Sequence, residues 1–143
     1  MTAPVDPAAV AAATIGDAAY GLLIGGEWRQ AASGARFAVT NPATGEHLAD
    51  VPDAGAAEAR AAVDAAYAAL PAWAATPAPA RAAVLRRAAA LMLEEQERLA
   101  TVMTLEQGKP LAEARGEIAY AASFLSWFAG EAERIYGSTI PAT

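Results

Sequence analysis

At Gly55 the hydrophobic pattern changes period, and the change splits the chain into two kinds of structure. Upstream, short apolar runs are separated by glycine-bearing turns. Downstream, apolar residues recur every three or four positions, the spacing that collects side chains on one face of an α-helix. A chain written this way is expected to open with a small antiparallel β-meander and continue in long amphipathic α-helices.

The β part follows from its turns. In Tyr20-Gly-Leu-Leu-Ile-Gly-Gly-Glu-Trp-Arg29, apolar residues flank Gly25-Gly26, and glycine accepts the positive φ that a two-residue hairpin turn demands. Ser33-Gly34 makes a second turn before a strand from Arg36 to Thr40. Asn41-Pro-Ala-Thr-Gly45 makes a third, and His47 to Val51 returns as a strand.

The helical part has clear punctuation. Gly55 serves as N-cap, with Glu58 three residues on to complement the helix dipole, and Ala59, Val63, Ala66, Tyr67 and Leu70 form a stripe that Pro71 is expected to close. A second helix opens after Pro77 and Pro79, with Val84, Leu85, Ala88, Leu91 and Met92 on its face. Glu94, Glu95 and Glu97 mark a junction. Leu99, Val102, Met103 and Leu105 resume the pattern until Gly108-Lys109-Pro110 stops it. A last helix is expected from about Leu111 to Tyr136, ended by Gly137. Phe124 and Trp127 lie off the centre of its stripe, so this helix calls for partners on more than one side.

Alanine supplies more than half of the apolar residues in this 143-residue chain and favours helix, but it buries little area. The core is therefore expected to rest on Trp28, Phe37, Tyr67, Leu70, Trp73, Leu85, Leu91, Phe124, Leu125, Trp127 and Phe128. The formal charge of −6 repels phosphate backbones, which argues against a nucleic-acid partner. Arg86 and Arg87 interrupt the best apolar run, so no membrane span is expected, and the first 20 residues lack the basic start of a signal peptide. A cytoplasmic location is expected. Residues 1–19 are expected to be a flexible tail in which Asp6 and Pro7 can open a short helix.

The chain has no cysteine, hence no thiolate nucleophile, disulfide or thiolate-bound metal. His47, the sole histidine, has no nucleophile near it in sequence and reads as a solvated or edge-strand residue. Gly25-Gly26 lies between two strands and so reads as a turn. A phosphate loop would need to lead from a strand into a helix. Glu113 with Glu117 and Glu94 with Glu97 read as solvated helix faces, and Arg81, Arg86 and Arg87 as surface residues. The aromatic group Tyr120, Phe124, Trp127 and Phe128 admits two readings: core packing, or the wall of a substrate channel or subunit interface.

The ordered set Leu23-Ile-Gly-Gly-Glu-Trp28, Asn41-Pro-Ala-Thr-Gly-Glu46, Ala72-Trp73, Arg81 to Leu91 and Thr104-Leu-Glu-Gln-Gly-Lys-Pro110 resembles the N-terminal region of the NAD(P)-dependent aldehyde dehydrogenases. Glu113, Glu117, Trp127-Phe-Ala-Gly130, Tyr136-Gly137 and Ile140-Pro141 continue the likeness, and Glu106 to Ala114 with Tyr120 to Leu125 is most similar to succinate-semialdehyde dehydrogenases. The resemblance implies an α/β fold in which residues 20–143 are the truncated N-terminal part of a domain, packing on a Rossmann-like region beyond this stretch. It implies a homo-oligomeric full-length enzyme that oxidises a small aldehyde with NAD or NADP. The family's catalytic cysteine, glutamate base, oxyanion asparagine and cofactor motifs all fall beyond Thr143. No catalytic, cofactor-binding or metal residue therefore carries over, and the chain alone is expected to be inactive and to bind no cofactor. Tyr120 and Phe124 carry over as lining of the substrate passage. Some relatives hold a monovalent cation on backbone carbonyls near the positions of Val39 and Glu106. A stand-alone interaction module and one half of a split dehydrogenase are the alternative expectations.

Overall fold

The computed structural model describes residues 21–138. The tail, with its expected short helix at Asp6-Pro7, and the Ile140-Pro141 match fall outside the described residues.

Strand β1 (Leu22–Ile24) pairs with β2 (Glu27–Arg29), and β3 (Arg36–Thr40) pairs with β4 (His47–Pro52), both antiparallel. Gly25 and Gly26, at φ 63° and 85°, form the β1–β2 turn, where two consecutive positive φ angles require glycine. The expected continuous meander is instead two separate two-stranded hairpins. The reason lies in the connection. The Ala32 N–H donates to Glu58 Oε1 at 2.8 Å and the Gly34 N–H turns back to the Ala31 carbonyl at 2.9 Å, so this backbone spends its hydrogen bonds away from any ladder. A bulge between Val39 and Thr40 shifts the second ladder's register by one residue.

Helix α1 spans Ala56–Ala75, α2 Ala78–Glu94, α3 Gln96–Gln107 and α4 Leu111–Ala132. Gly55 sits at the N-cap of α1 as expected, and the Glu58 carboxylate reaches back to the Gly55 N–H at 2.9 Å, the one half of a capping box that a glycine N-cap allows. Pro71 does not end α1; the helix runs through it to Ala75. Proline frees the carbonyl four residues back, here that of Tyr67, and Tyr67 is well exposed, so water can satisfy it. The end of α1 is closed by Arg81, whose guanidinium donates to the Ala74 and Thr76 carbonyls at 3.1 and 2.9 Å. Arg81 is thus a helix cap, where the sequence suggested a plain surface charge. Gly108, at φ 75°, ends α3 as expected and abuts Pro42 of the β3–β4 turn. Helix α4 stops at Ala132, short of Tyr136. Its final N–H groups of Glu133 and Arg134 turn to carbonyls three residues back, and Ile135 and Tyr136 stand exposed with nothing to pack on.

Helix α4 is the hub, packed by α2 and by α3, whereas α1 meets chiefly β1 and buries no residue. The core reverses the expectation drawn from side-chain size. Its buried residues are mostly alanines: Ala82 and Ala89 on α2, Ala100 on α3, and Ala114, Ala122 and Ala129 on α4, with Ile24, Leu105 and Ile118 among the few larger ones. Small side chains let helix axes approach, which is how they come to occupy the crossings. Of the large residues expected inside, Leu85 and Leu125 are half-buried, while Trp28, Phe37, Tyr67, Leu70, Trp73, Leu91, Phe124, Trp127 and Phe128 are exposed. Their faces point away from the α2–α3–α4 contacts, and no other described element covers them. Among the described residues no helix is long and apolar enough to cross a membrane.

Candidate functional site

The outer face of α4 holds the densest group of large uncovered side chains. Ala114, Ile118, Ala122 and Ala129 turn the opposite face inward. At 3.6 residues per turn, Gly116, Tyr120, Ser123 and Trp127 then fall within roughly 60° of one another on the outward side. Tyr120 is 66% and Trp127 64% exposed. The rings of Tyr120 and Phe124 meet edge to face, centroids 4.7 Å apart at 77°. Beside them Ser123, Phe124, Trp127 and Phe128 line an open groove of about 370 Å³. The one hydroxyl in that groove, Ser123 Oγ, is engaged by the Tyr120 carbonyl at 2.6 Å. The groove lining is therefore largely apolar and carries no cation, while the Tyr120 hydroxyl and the Trp127 indole N–H give the wall polar edges. The two positions expected from the sequence, Tyr120 and Phe124, are brought together; Trp127 and Phe128 extend the same wall.

Polar clamps fix this helix. Arg115 donates to both carboxylate oxygens of Glu97 at 2.7 and 2.9 Å, and Gln96 Nε2 donates to the Arg115 carbonyl at 3.0 Å, tying α4 to α3. Lys109 pairs with Glu117 at the start of α4, and Arg86 of α2 pairs with Glu133 at its end. Hydrogen bonding to Arg115 holds the Glu97 carboxyl below its ordinary range, and Arg86 does the same for Glu133. Glu94, Glu97 and Glu117 are thus members of ion pairs, while Glu113 is exposed as expected of a solvated face. His47 stands exposed on β4, 3.1 Å from Asp50 Oδ1, with no nucleophile in reach.

A second open groove, about 460 Å³, runs between α3 and α4 over Leu99, Val102, Met103 and Ile118, with Glu106 and Gln107 at one end. Thr104 Oγ1 is buried here in α3 with no hydrogen-bond partner among the described residues. Val39 is half-buried on β3 and Glu106 is exposed near the end of α3. Among the described residues no group of three or more histidine, cysteine or acidic side chains could hold a metal ion.

The aldehyde dehydrogenase family model matches residues 28–143. The chain belongs to the aldehyde dehydrogenase family. It is 61% identical over 119 residues to an Escherichia coli succinate-semialdehyde dehydrogenase [NADP(+)], covering 83% of this chain and 25% of that protein. It is 62% identical over 118 residues to a glutarate-semialdehyde dehydrogenase of Pseudomonas putida, covering 82% of this chain and 25% of that one. Among solved structures, an E. coli NADP-dependent enzyme superposes with TM-score 0.83 at 60% identity, over 85% of this chain and 25% of its own. The HpcC structure from Thermus thermophilus superposes with TM-score 0.88 at 28% identity, over 95% of this chain and 27% of its own. This aldehyde dehydrogenase chain thus spans about a quarter of the length of the relatives it matches.

The helix N-termini here do not fit a dinucleotide. A diphosphate needs free N–H groups and positive potential where a strand feeds a helix. Among the described residues only β4 into α1 has that order, and there the Glu58 carboxylate already takes the Gly55 N–H and places negative charge. Helix α2 opens with Pro79, which has no N–H, while α3 and α4 carry Glu97 and Glu113 in their first turns.

Proposed function

We propose that this chain is the N-terminal quarter of an NAD(P)-dependent aldehyde dehydrogenase whose substrate is a short aldehyde with an anionic tail, succinate semialdehyde foremost. The observation that carries this reading is the identity of about 60% to dehydrogenases of succinate and glutarate semialdehyde over four fifths of the chain. Dehydrogenases of 3-sulfolactaldehyde and of aspartate semialdehyde, also anionic aldehydes, are similar as well.

Thiolate addition to an aldehyde needs a nucleophile, a base and an oxyanion donor held together. This chain has no cysteine, and its sole histidine sits on an exposed strand, so the bond-making groups and the cofactor cradle belong to the remainder of the enzyme. In this reading the part played by α4 is to exclude water and guide the substrate. Tyr120 and Phe124 form one wall of the passage, joined by Trp127, and the other faces of α4 and α1 pack on the Rossmann-like region. The isolated chain is inactive, and the assembled enzyme is a homo-oligomer.

The test is a chimera in which residues 21–143 replace the matching quarter of the E. coli relative. Succinate semialdehyde should drive NADPH formation at a rate within tenfold of the parent; an inactive but folded chimera would overturn the proposal. The exposed aromatic face also favours a second reading, docking of this chain onto a separate chain that supplies the cysteine. Activity restored by mixing the two chains, without covalent fusion, would decide for it.

A further inference from the structure

Two side-chain types capture free aldehydes, the cysteine thiolate and the lysine amine. This chain has no cysteine, and of its ten basic residues nine are arginine, whose guanidinium stays protonated and offers no lone pair. Lys109 is the single lysine. A lysine ordinarily keeps its ammonium in water, but the side chain of Lys109 is only 17% exposed and pairs with Glu117. The position is rigid: Gly108 at φ 75° closes α3 before it, and Pro110 at φ −59° opens α4 after it. Glu117 lies one turn before Tyr120 and two before Phe124, so the pair stands at the start of the aromatic wall.

We infer that this chain presents an aldehyde with no reachable amine or thiol: Glu117 and the α3–α4 turn withhold Lys109, the one side-chain amine, from imine formation. The inference rests on the reading above that the enzyme handles a free aldehyde. In imine formation the lone pair of the amine nitrogen bonds to the carbonyl carbon, the carbonyl oxygen leaves as water, and a C=N bond remains. An ammonium has no lone pair, so Lys109 must part from Glu117, give up a proton and turn out of its cover before it can react. The pair differs from the clamps that tie helices together. Arg115 with Glu97 joins α4 to α3 and Arg86 with Glu133 joins α4 to α2, whereas Lys109 with Glu117 spans only the start of α4.

The experiment incubates the 143-residue chain at about pH 7 with succinate semialdehyde and cyanoborohydride, whose hydride fixes the imine as a secondary amine. Peptide mass spectrometry reads the adduct at Lys109. Alkylation there should be at least about fivefold slower than in an N-acetylated peptide of residues 104–113, the margin that one partly exposed ion pair can supply. Glu117→Gln should remove most of that margin with helical circular dichroism unchanged. Glu113→Gln, at an exposed position one turn earlier, should leave the rate where it was. Propanal, which is uncharged, should show the same margin, so that repulsion by the net charge of −6 is not its source. Alkylation of the native chain as fast as of the peptide would overturn the inference. So would a margin that survives Glu117→Gln or vanishes with propanal, or a Glu117→Gln chain that unfolds, which would mark the pair as a structural tie. None of these rates depends on dehydrogenase activity, on which the chimera reports separately.

Discussion

Replacing Ile118 by alanine tests where this chain keeps its stability. Ile118 is 6% exposed and packs with Ala100 and Ala114 against Met92, Leu99, Met103 and Leu111, the point where α2, α3 and α4 converge. The substitution removes three buried carbons, each worth about 0.8 kcal/mol, for a transfer loss near 2.4 kcal/mol. A further cavity cost is small, because Ile118 also borders the open α3–α4 groove, which admits water where a sealed core would keep a void. The expected cost is therefore about 2–3 kcal/mol, at the low end for such truncations. Urea unfolding followed by helical circular dichroism measures it, with the slope against denaturant unchanged if only the native packing is altered. Val63→Ala is the control. Val63 is 67% exposed on α1, so its truncation should cost under about 0.5 kcal/mol. If Val63→Ala destabilises the chain as much as Ile118→Ala, the packed unit is not the one formed by α2, α3 and α4, and the argument fails.

Thr104→Val should stabilise the chain by about 1 kcal/mol, because it removes a buried hydroxyl that has no partner; a loss of stability in the same unfolding assay would mean that the hydroxyl is bonded. Ala114→Leu, at a fully buried position between α3 and α4, should cost about 1–3 kcal/mol by forcing the helices apart, and an unchanged midpoint would show that the crossing is loose. The Glu58 carboxyl is held below the usual carboxylate range by the N–H groups of Ala32, of Glu58 itself and of Gly55. A carboxylate with a depressed folded-state pKa stabilises at pH above its unfolded value and loses that contribution as pH falls through the folded one. Melting midpoints of the native chain and Glu58→Gln should therefore differ at pH 7 and converge as pH falls through the lowered folded-state value; parallel curves would count against this tether. The hydrophobic dye ANS should light up on the chain, and Trp127→Ala should dim it, since Trp127 is among the largest uncovered side chains; an unchanged signal would place the dye elsewhere.

The sequence by itself determined the local elements. Gly25-Gly26, Gly55 with Glu58, and Gly108 act through their own φ angles or a carboxylate three residues away, so their effect needs no distant partner. The likeness to aldehyde dehydrogenases was legible too, because it resides in the order of short motifs along the chain, and the family match bears it out. The helical stripes marked the inner faces of α2 and α3, where Leu85, Ala88, Met92, Leu99, Met103 and Leu105 are buried or half-buried, but tertiary structure decided which residues are sealed at the crossings. Side-chain size pointed to Trp73, Phe124 and Trp127 as core, but helices approach closest where side chains are smallest. Ala82, Ala100, Ala114 and Ala129 therefore took the crossings, and the large residues were left outward. Arg81 could not be read as the cap of α1, since its acceptors five and seven residues back come within reach only through the conformation of the Thr76-Pro77 turn that joins α1 to α2. Pro71 and the end of α4 were misjudged for one shared reason: whether a helix continues depends on whether water or a neighbour receives its freed groups, and periodicity carries no record of that.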